Sequence, residues 1–362
     1  CMSDKRIFTS ESVTEGHPDK VSDRISDSVL DALLAGDKFS RVACETLTNT
    51  NLAVIAGEIT SQTNVDYDKV VRQAIKEIGY TSDKMGYNFE TCDVKVHIDQ
   101  QSPDIPQGVT EGEGLHRDQG AGDQGIMIGY ATNETPTMLP VVFDMARSIQ
   151  KDLWKLQNDN KNLGLDSKVQ VTCEDKTKVV VSCQTNGELD EDVQVLIKEL
   201  VANHIPEREH TWTLEINPSG SFQKGGPAAD TGLTGRKIVV DAYGPTIQVG
   251  GGAYSGKDPS KVDRSGAYAC RHLAVNLVQW ELFKNAKVEV SYAIGKSDPY
   301  ELNITGEQIA SDKAVKDFIN KFDFRPSAII ERLDLLTVEY HPFSQFSHYG
   351  DPKRNWEKII QS

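Results

Sequence analysis

Residues 42–60 of the chain read VACETLTNTNLAVIAGEIT. Two apolar segments in this stretch, Val42–Thr48 and Leu52–Thr60, predict two strands that follow one another with no helix between them. In a doubly wound parallel sheet, a crossover helix separates consecutive strands. The stretch therefore argues against that fold and favours an α+β architecture.

The segments around these two strands extend the pattern. A helix is predicted before them, at Asp19–Leu34, because apolar residues recur every four positions and Gly36 ends the pattern. A second helix is predicted after them, at Tyr67–Ile78, and a further strand at Asp93–Ile98. The predicted order is helix, strand, strand, helix, strand.

This order recurs along the chain. The second pass is predicted at Met138–Gln157, Lys168–Cys173, Lys178–Gln184, Asp190–Asn203 and Thr211–Ile216. The third pass opens with a strand and closes with two helices, at Lys237–Tyr243, Ser265–Leu282, Val288–Ile294, Glu301–Ile304, Asp312–Lys321 and Pro326–Leu335. Three passes predict three related α+β domains in a pseudo-threefold arrangement, with mixed sheets that carry helices on one face. We expect an N-terminal domain at 1–104, a mobile gate loop at 105–117, a central domain at 118–234 and a C-terminal domain at 235–362.

Composition limits the classes of function. The chain has 362 residues, of which 38% are hydrophobic and 26% charged, and its formal net charge is −15. This charge argues against broad binding to nucleic acid or anionic membranes, and an anionic substrate then requires a local basic cluster or metal ions. The sequence shows no apolar segment of membrane-spanning length, no secretory signal and no paired cysteine motif, so we expect a cytoplasmic location.

The segment GGGAYSGKDPSKVDR at 250–264 is the strongest local signal. Its glycines let backbone N–H groups approach an anion, and its lysines and aspartates supply the charges that a metal-complexed polyphosphate requires. The segment nearly matches the nucleotide-binding loop GxxxxGK[ST], but Asp258 stands where that loop has a metal-binding hydroxyl. The pattern therefore predicts phosphate binding by a different geometry.

Four further segments combine glycine or proline with charged residues: Glu15–Lys20, 100–114, Gly120–Gly125 and Gly225–Lys237. Each has a structural alternative, namely a helix start capped by an aspartate, a flexible crossover, a tight loop before a strand, and a basic strand edge. The functional hypothesis is that these segments form a site for an anionic substrate. Anions are favoured at a helix N-terminus, such as the one predicted within Glu15–Lys20, and long loops such as 100–114 are often lids over a site.

Three of these segments, in this order, resemble the signature segments of the S-adenosylmethionine synthetase (methionine adenosyltransferase) family. They are GHPDK at 16–20, GAGDQG at 120–125 and GGGAYSGKD at 250–258. The resemblance runs from about Phe8 to the end of the chain and includes QSPDI at 101–105, DSK at 166–168 and LDLL at 333–336. It implies that the sulfur of methionine attacks C5′ of ATP, and that the released triphosphate is then hydrolysed to pyrophosphate and phosphate.

The chemistry of that reaction agrees with the residue types present. A thioether has no proton to lose, so no general base is required, and the barrier lies in aligning the sulfur and neutralising the triphosphate. By resemblance, the catalytic residues that clamp the triphosphate are His17, Lys168, Arg236, Lys257 and Lys261. The resemblance also implies contacts with the nucleoside part of ATP by Asp166, Asp230, Phe222, which would stack on adenine, and Lys237.

Cofactors, methionine contacts and self-association are implied in the same way. Two Mg²⁺ ions per site would be bound by Asp19 and Asp263, and K⁺ by Glu45 with Ser255. The residues that would contact methionine are Glu58, Gln101, Asp123, Lys261 and Ile294. The implied assembly is a homodimer or a dimer of dimers with active sites between subunits, without nucleic-acid or membrane partners.

The sequence departs from the family pattern in places. Tyr254 replaces the usual Phe, Val249 replaces a His, and FDMARS at 143–148 replaces a segment that usually contains Ala-His-(Lys/Arg)-Leu. None of these changes removes an expected ligand. Two other hypotheses stay open: an ATP-dependent phosphotransferase, against which Asp258 and Pro259 count, and a nucleotide-binding subunit without activity.

Overall fold

The computed structural model describes residues 8–100, 119–174, 176–206 and 211–361. Gln101 and the predicted gate loop at 105–117 lie outside these residues. Within them, helices pack against three main sheets, and two of these sheets contain both parallel and antiparallel strand pairs. The α+β class is thereby confirmed.

The first part of the chain follows the predicted order. Its elements are β1 (Phe8–Val13), α1 (Pro18–Gly36), β2 (Arg41–Asn49), β3 (Leu52–Thr60), α2 (Tyr67–Ile78), the short β4 (Thr81–Ser82) and β5 (Tyr87–Asn88), and β6 (Asp93–Asp99). Strand β3 pairs antiparallel with β2 and parallel with β6. The order helix, strand, strand, helix, strand confirms the prediction, whereas β1 was not predicted.

The second part repeats this arrangement. Its elements are β7 (Gly125–Thr132), α3 (Val141–Asp159), β8 (Leu163–Cys173), β9 (Thr177–Thr185), α4 (Glu191–Ala202) and β10 (Trp212–Ile216). Strand β9 pairs antiparallel with β8 and parallel with β10. From α3 to β10 the order again confirms the prediction, while β7 was not predicted.

The third part is built around one long helix. Its elements are β11 (Gly232–Leu233), α5 (Ile238–Asp241), α6 (Val262–Gln279), β12 (Phe283–Tyr292), β13 (Glu301–Gln308), α7 (Asp312–Ile319) and α8 (Pro326–Arg332). The prediction of a strand at Lys237–Tyr243 was wrong, because this segment forms the short helix α5. Its Asp241 is buried and binds the ammonium group of Lys20 at 2.6 Å, so tertiary contacts override the β-propensity of the Ile-Val-Val run.

Each sheet takes a strand from a distant part of the chain. The strand orders are β1-β8-β9-β10, β11-β2-β3-β6 and β13-β12-β7. Strand β1 therefore completes the central sheet, and β7 pairs with the C-terminal hairpin. These exchanges cross the boundaries expected from the sequence, and the domain limits stay a prediction.

The main core surrounds α6, which is buried on nearly every side and packs against β7 and β12. Close approach to β7 requires a glycine there, because a Cβ atom on Gly129 would lie 2.1 Å from the carbonyl carbon of Cys270. A smaller core lies between α3, α4 and the β8–β9 hairpin. Of the helices in the described ranges, none combines the length and apolar character needed to cross a membrane.

Candidate active site

The predicted site residues form two groups. The first cluster comprises His17, Asp19, Asp166, Lys168, Asp230, Arg236 and Lys237, with Phe222 near it. The second cluster comprises Lys257, Lys261 and Asp263, bordered by Glu45, Glu58, Asp123, Ser255 and Ile294. Gln101, which was also predicted, lies outside the described residues.

One edge of β2 connects the two clusters. Near its end, β2 pairs with β11 through Leu47 and Leu233, directly before the Arg236–Lys237 pair. Nearer its start, Ala43 forms an antiparallel bridge with Lys257. Leu47 follows Ala43 by four positions in the strand, which corresponds to about 13 Å. In the described part of the chain, no hydrogen bond or ion pair joins a residue of the first cluster to one of the second.

Asp19 is the centre of the first cluster. Its carboxylate binds the Lys237 ammonium group at 2.5 Å, accepts the Leu233 backbone N–H at 3.0 Å, and lies 3.7 Å from the Arg236 guanidinium. Burial alone raises the pKa of Asp19, but the hydrogen bonds from Lys237 and Leu233 outweigh burial and lower it. Asp19 is therefore an ionised carboxylate with two cations beside it.

His17 caps the N-terminus of α1. The structural alternative given for this segment in the sequence analysis, a helix start capped by an aspartate, differs from this. The Nδ1 atom of His17 accepts the backbone N–H of Asp19 at 3.2 Å. Burial, followed by the positive charge of Lys237, lowers the pKa of His17 to about 3. The ring is therefore neutral near pH 7, and because Nδ1 accepts, its proton lies on Nε2, which is free to donate.

The rest of the first cluster comes from β8 and the segment before β11. Asp166 is buried and accepts the Gly226 N–H at 2.8 Å, and burial raises its pKa to about 6. Lys168 lies 3.4 Å from the Glu11 carboxylate at a partly exposed position. Asp230 is exposed, and Phe222 is half-buried. Of these residues, Lys168 lies near enough to His17 for its positive charge to act on the ring.

The second cluster consists of ion pairs made within a short segment. The Lys257 ammonium binds Asp263 at 2.5 Å, and the Lys261 ammonium binds Asp258 at 2.6 Å. Asp258 is buried and also accepts the backbone N–H of Val42 at 2.7 Å. Asp258 thus anchors the loop to β2, and α6 begins at Val262, so the segment does not have the geometry of a nucleotide-binding loop with a helix directly after its lysine.

Two of the glycine-rich signature segments meet at Asp263. A Cβ atom on Gly252 would lie 2.3 Å from Asp263 Oδ1, and one on Gly125 would lie 3.8 Å from the same atom. Side chains at Gly252 would therefore displace the carboxylate. Gly252 therefore makes room for the Asp263 carboxylate itself, and the close approach of a ligand to these glycines stays a prediction.

The residues that border the second cluster lie on two neighbouring sheets. Glu45 and Glu58 are exposed on β2 and β3, and Glu58 pairs with Ala43, the residue bridged to Lys257. That bridge's antiparallel register places Glu45 opposite Ser255. The Ser255 hydroxyl is buried and has no hydrogen-bond partner among the described residues.

Asp123 and Ile294 border the second cluster from the side of β7. Asp123 is exposed two residues before Gly125, and its carboxylate accepts the Gln124 backbone N–H at 2.7 Å. Ile294 follows β12, is 57% exposed, and forms a parallel bridge with Ala121. The bridge thus brings Ile294 to the segment that contains Asp123.

Tyr254, which stands where the family pattern usually has Phe, packs in the core. This side chain is buried, and the Tyr349 hydroxyl donates to its hydroxyl at 3.1 Å. Arg147, in the departing segment at 143–148, binds Asp144 at 2.7 Å and the Tyr349 carbonyl at 3.0 Å. Tyr254 and Arg147 therefore both contact Tyr349 and form no described hydrogen bond or ion pair with the residues of either cluster.

Sequence reasoning missed the carboxylates that hold the cluster segments in place. Asp258 was noted as a possible metal-binding charge and as a mismatch to the nucleotide-binding loop, not as an anchor, and Asp23 and Asp27 on α1 were not singled out. The signal was present, because Asp19, Asp23, Asp27 and Asp31 recur every four residues and so share one helix face.

Comparison with known proteins identifies the family of the chain. Three domain models of S-adenosylmethionine synthetase match the chain: the N-terminal domain at 5–103, the central domain at 118–222 and the C-terminal domain at 224–358. An S-adenosylmethionine synthase of Sorangium cellulosum is 47% identical over 97% of this chain and 87% of its own length. Those of Desulfosudis oleivorans and Thermus thermophilus are each 46% identical, over 96% and 98% of this chain and 94% and 96% of their own lengths. The chain belongs to the S-adenosylmethionine synthetase family.

Proposed function

We propose that the two clusters are complementary parts of one active site that makes S-adenosylmethionine from ATP and methionine. Family membership assigns the chain the methionine adenosyltransferase reaction. The assignment of residues rests on one observation: each cluster brings a lysine ammonium group and an aspartate carboxylate into contact, Lys237 with Asp19 and Lys257 with Asp263. Each cluster thus offers an ammonium group for phosphate oxygens and a carboxylate for a cation that accompanies them.

In the reaction, the methionine sulfur forms a bond to C5′ of ATP while the C5′–O5′ bond breaks and triphosphate leaves. The sulfur becomes a sulfonium and releases no proton. The protein must hold the sulfur in line with O5′ and stabilise the negative charge that develops on the leaving group. Lys168, Arg236, Lys257 and Lys261 supply that stabilisation and then hold the triphosphate during its hydrolysis.

His17 acts as a neutral hydrogen-bond donor in this proposal. The burial and neighbouring cations that lower its pKa to about 3 keep the ring uncharged at neutral pH. Its Nε2–H then donates to O5′ as charge builds there, while Nδ1 stays engaged with the Asp19 backbone. Asp166 and Asp230 bind the ribose side of ATP, with Lys237 nearby, and Phe222 stacks on adenine.

The chemistry of the donor set fits Mg²⁺ held largely by the substrate. Asp19 and Asp263 provide one carboxylate in each cluster, and no three His, Cys, Asp or Glu side chains converge as a metal site within the described ranges. Mg²⁺ is usually bound by one or two carboxylates together with substrate phosphates and water. Two such ions, when bound, would neutralise charge on the triphosphate.

The partnerless hydroxyl of Ser255 fits a K⁺ site. A buried polar atom without a partner is uncommon and requires an explanation. Glu45 lies opposite it in the strand register and supplies a carboxylate. We assign these two residues to K⁺ binding.

Methionine is proposed to lie beside the second cluster. Glu58 and Asp123 are exposed carboxylates suited to its ammonium group, and Ile294 offers apolar surface for its side chain. Lys261 is assigned to methionine binding as well. The roles of Gln101 and of a gate at 105–117 rest on the family resemblance alone.

Two chains complete each site in this proposal. Within one chain the clusters are about 13 Å apart along β2 and share no described hydrogen bond or ion pair. The outer face of the β2–β3–β6 sheet, which carries Glu45 and Glu58, is exposed and includes apolar surface at Ala56. We therefore propose a homodimer, or a dimer of dimers, in which the first cluster of one chain faces the second cluster of its partner.

A cytoplasmic location remains part of the proposal. It is supported by the cysteines of the described residues, which are Cys44, Cys92, Cys173, Cys183 and Cys270; all are buried and none forms a disulfide.

Product analysis tests this function. The purified chain is incubated with methionine, Mg²⁺, K⁺ and ATP that carries ¹⁸O at the 5′ bridging position. We expect S-adenosylmethionine, pyrophosphate and phosphate, with the label in the phosphate products. Label retained in ADP or AMP would instead establish phosphotransfer, and binding of ATP without turnover would establish a nucleotide-binding subunit.

A further inference from the structure

Helix α1 holds the C-terminal part of the chain through a row of aspartates. Asp19, Asp23, Asp27 and Asp31 are each four residues apart, which is close to one helical turn, so they project from the same face. Each accepts a backbone N–H from a distant segment. The donors, in order, are the N–H groups of Leu233, Gly235, Gly256 and Tyr340.

Two of these contacts share one local construction. Asp23 accepts the Gly235 N–H at 2.9 Å, and Gly235 has φ of 78° and directly precedes the Arg236–Lys237 pair. Asp27 accepts the Gly256 N–H at 2.8 Å, and Gly256 has φ of 79° and directly precedes Lys257. In both, an aspartate fixes a left-handed glycine, and the next residue is a cation of the candidate active site.

Each of the two carboxylates is paired with a buried cation. The Lys20 ammonium binds Asp23 at 3.0 Å and Asp241 at 2.6 Å, with all three side chains buried. The Arg264 guanidinium binds both oxygens of Asp27, at 2.9 and 2.8 Å, and the Lys257 carbonyl at 3.0 Å. A buried carboxylate that is fully paired and hydrogen-bonded has few alternative positions, so it holds its glycine firmly.

We propose that Asp23 and Asp27 are positioning residues, which fix the cations Arg236, Lys237 and Lys257 relative to helix α1 and its catalytic N-terminus. The inference rests on the proposed function. Neither aspartate reaches the substrate, because both are buried behind the segments they hold. Their effect is on alignment, and in a reaction that depends on alignment a displacement of about 1 Å costs roughly 10²-fold in rate.

The variants Asp23→Asn and Asp27→Asn test this role, with Asp31→Asn as the matched control. Asp31 lies on the same helix face and accepts two backbone N–H groups, from Tyr340 and His341, but that segment carries no predicted site residue. Steady-state rates of S-adenosylmethionine formation are measured per folded chain, together with KM for ATP and the thermal midpoint. We expect Asp23→Asn and Asp27→Asn to lower kcat about 10²-fold with KM changed less than about threefold, and Asp31→Asn to stay within about twofold of the parent.

The outcomes separate positioning from simple destabilisation. If Asp23→Asn and Asp27→Asn keep the kcat of Asp31→Asn at comparable thermal midpoints, the inference is overturned and the proposed function stands. If a variant does not fold, Asp23→Glu and Asp27→Glu keep the charge but displace the glycine, and they must still lower kcat for the inference to hold. A parent protein that forms no S-adenosylmethionine would overturn both the function and the inference.

Discussion

Each of the two clusters of the candidate active site contains a close lysine–aspartate ion pair, but the clusters are built in opposite ways. The first cluster gathers its residues from the start of α1, from β8 and from the segments on both sides of β11. In its central ion pair, Lys237–Asp19, the partners are 218 residues apart in the chain. In the corresponding pair of the second cluster, Lys257–Asp263, the partners are only six residues apart. The pairs nevertheless have the same length of 2.5 Å.

This difference shows which parts of a site depend on tertiary structure. The second cluster neutralises its charges locally, because Lys257 and Lys261 bind Asp263 and Asp258 within one loop. The first cluster forms only when β11 pairs with β2 and α5 docks on Lys20. A change in the packing of α1 should therefore disturb the first cluster more than the second.

The largest expected effect is on the reaction rate when the lysine of either central ion pair, Lys237–Asp19 or Lys257–Asp263, is replaced. Lys237→Met and Lys257→Met should each lower the rate of S-adenosylmethionine formation about 10³-fold, because Lys257 is a preorganised cation for the leaving triphosphate and Lys237 holds the Asp19 carboxylate and the nucleoside side of ATP in place. Initial rates at saturating ATP and methionine, with circular dichroism to verify folding, measure this.

The control for both variants is Lys284→Met. Lys284 forms a pair of the same 2.5 Å length with Glu307, but on an exposed hairpin, and its removal should change neither rate nor fold. Equal activity of Lys257→Met and the parent would remove the second cluster from the site.

A smaller effect is expected on stability, at Asp166 in the first cluster. The folded-state pKa of about 6 is above the ordinary value of 3.8, so the stability that Asp166 contributes is fully present below pH 3.8 and is lost as pH rises through 6. Asp166→Asn does not titrate there. Its free energy of unfolding should therefore rise relative to the parent by at most about 3 kcal/mol between pH 4 and pH 8.

Urea unfolding of both proteins at several pH values measures this difference. A difference between the two proteins that is constant across this range would contradict the raised pKa. The loop of the second cluster provides no comparable case. Burial raises the pKa of its carboxylate Asp258, but the positive charges of Lys261 and Arg41 outweigh burial and lower the pKa.

The smallest expected effect is on metal dependence. Asp19→Asn and Asp263→Asn should each raise the Mg²⁺ concentration for half-maximal rate about tenfold, because an amide oxygen binds this hard cation less well than a carboxylate. Mg²⁺ titrations at fixed ATP measure the shift. Asp68→Asn, which alters an exposed helical ion pair with Arg72, is the control. If one variant requires the same Mg²⁺ concentration as the parent, the carboxylate changed in that variant does not bind Mg²⁺, and the two clusters differ in this role.

Much of the fold was predictable because it follows local patterns. The helices α1 and α2 and the three hairpins gave clear apolar spacing, and their observed bounds lie within a few residues of the predicted ones. Strands β1 and β7 were missed because their partners are far away in the chain, and because β7 contains Gly129, which serves the packing of α6. The segment Lys237–Tyr243 was misassigned because its conformation depends on Lys20, 221 residues from Asp241.

The site also contains some residues whose proximity was predictable from local sequence and others whose proximity was not. The charged residues of the second cluster stand in one stretch of sequence, so their proximity was readable without a structure. The joining of Asp166, Asp19 and Lys237 came from the family resemblance, since no spacing in the sequence relates them. The supporting aspartates of α1 had a visible spacing, but their partners are set by tertiary contacts.

The central claim is that the first cluster of one chain and the second cluster of another form one site. Differently tagged Lys237→Met and Lys257→Met chains are combined, and purified heterodimers are assayed for S-adenosylmethionine formation. One site of each heterodimer then carries both changes and the other carries neither, so we predict about half of the parent activity per dimer. If each site lies within one chain, every site carries a change, and heterodimers no more active than the two homodimers would contradict the account.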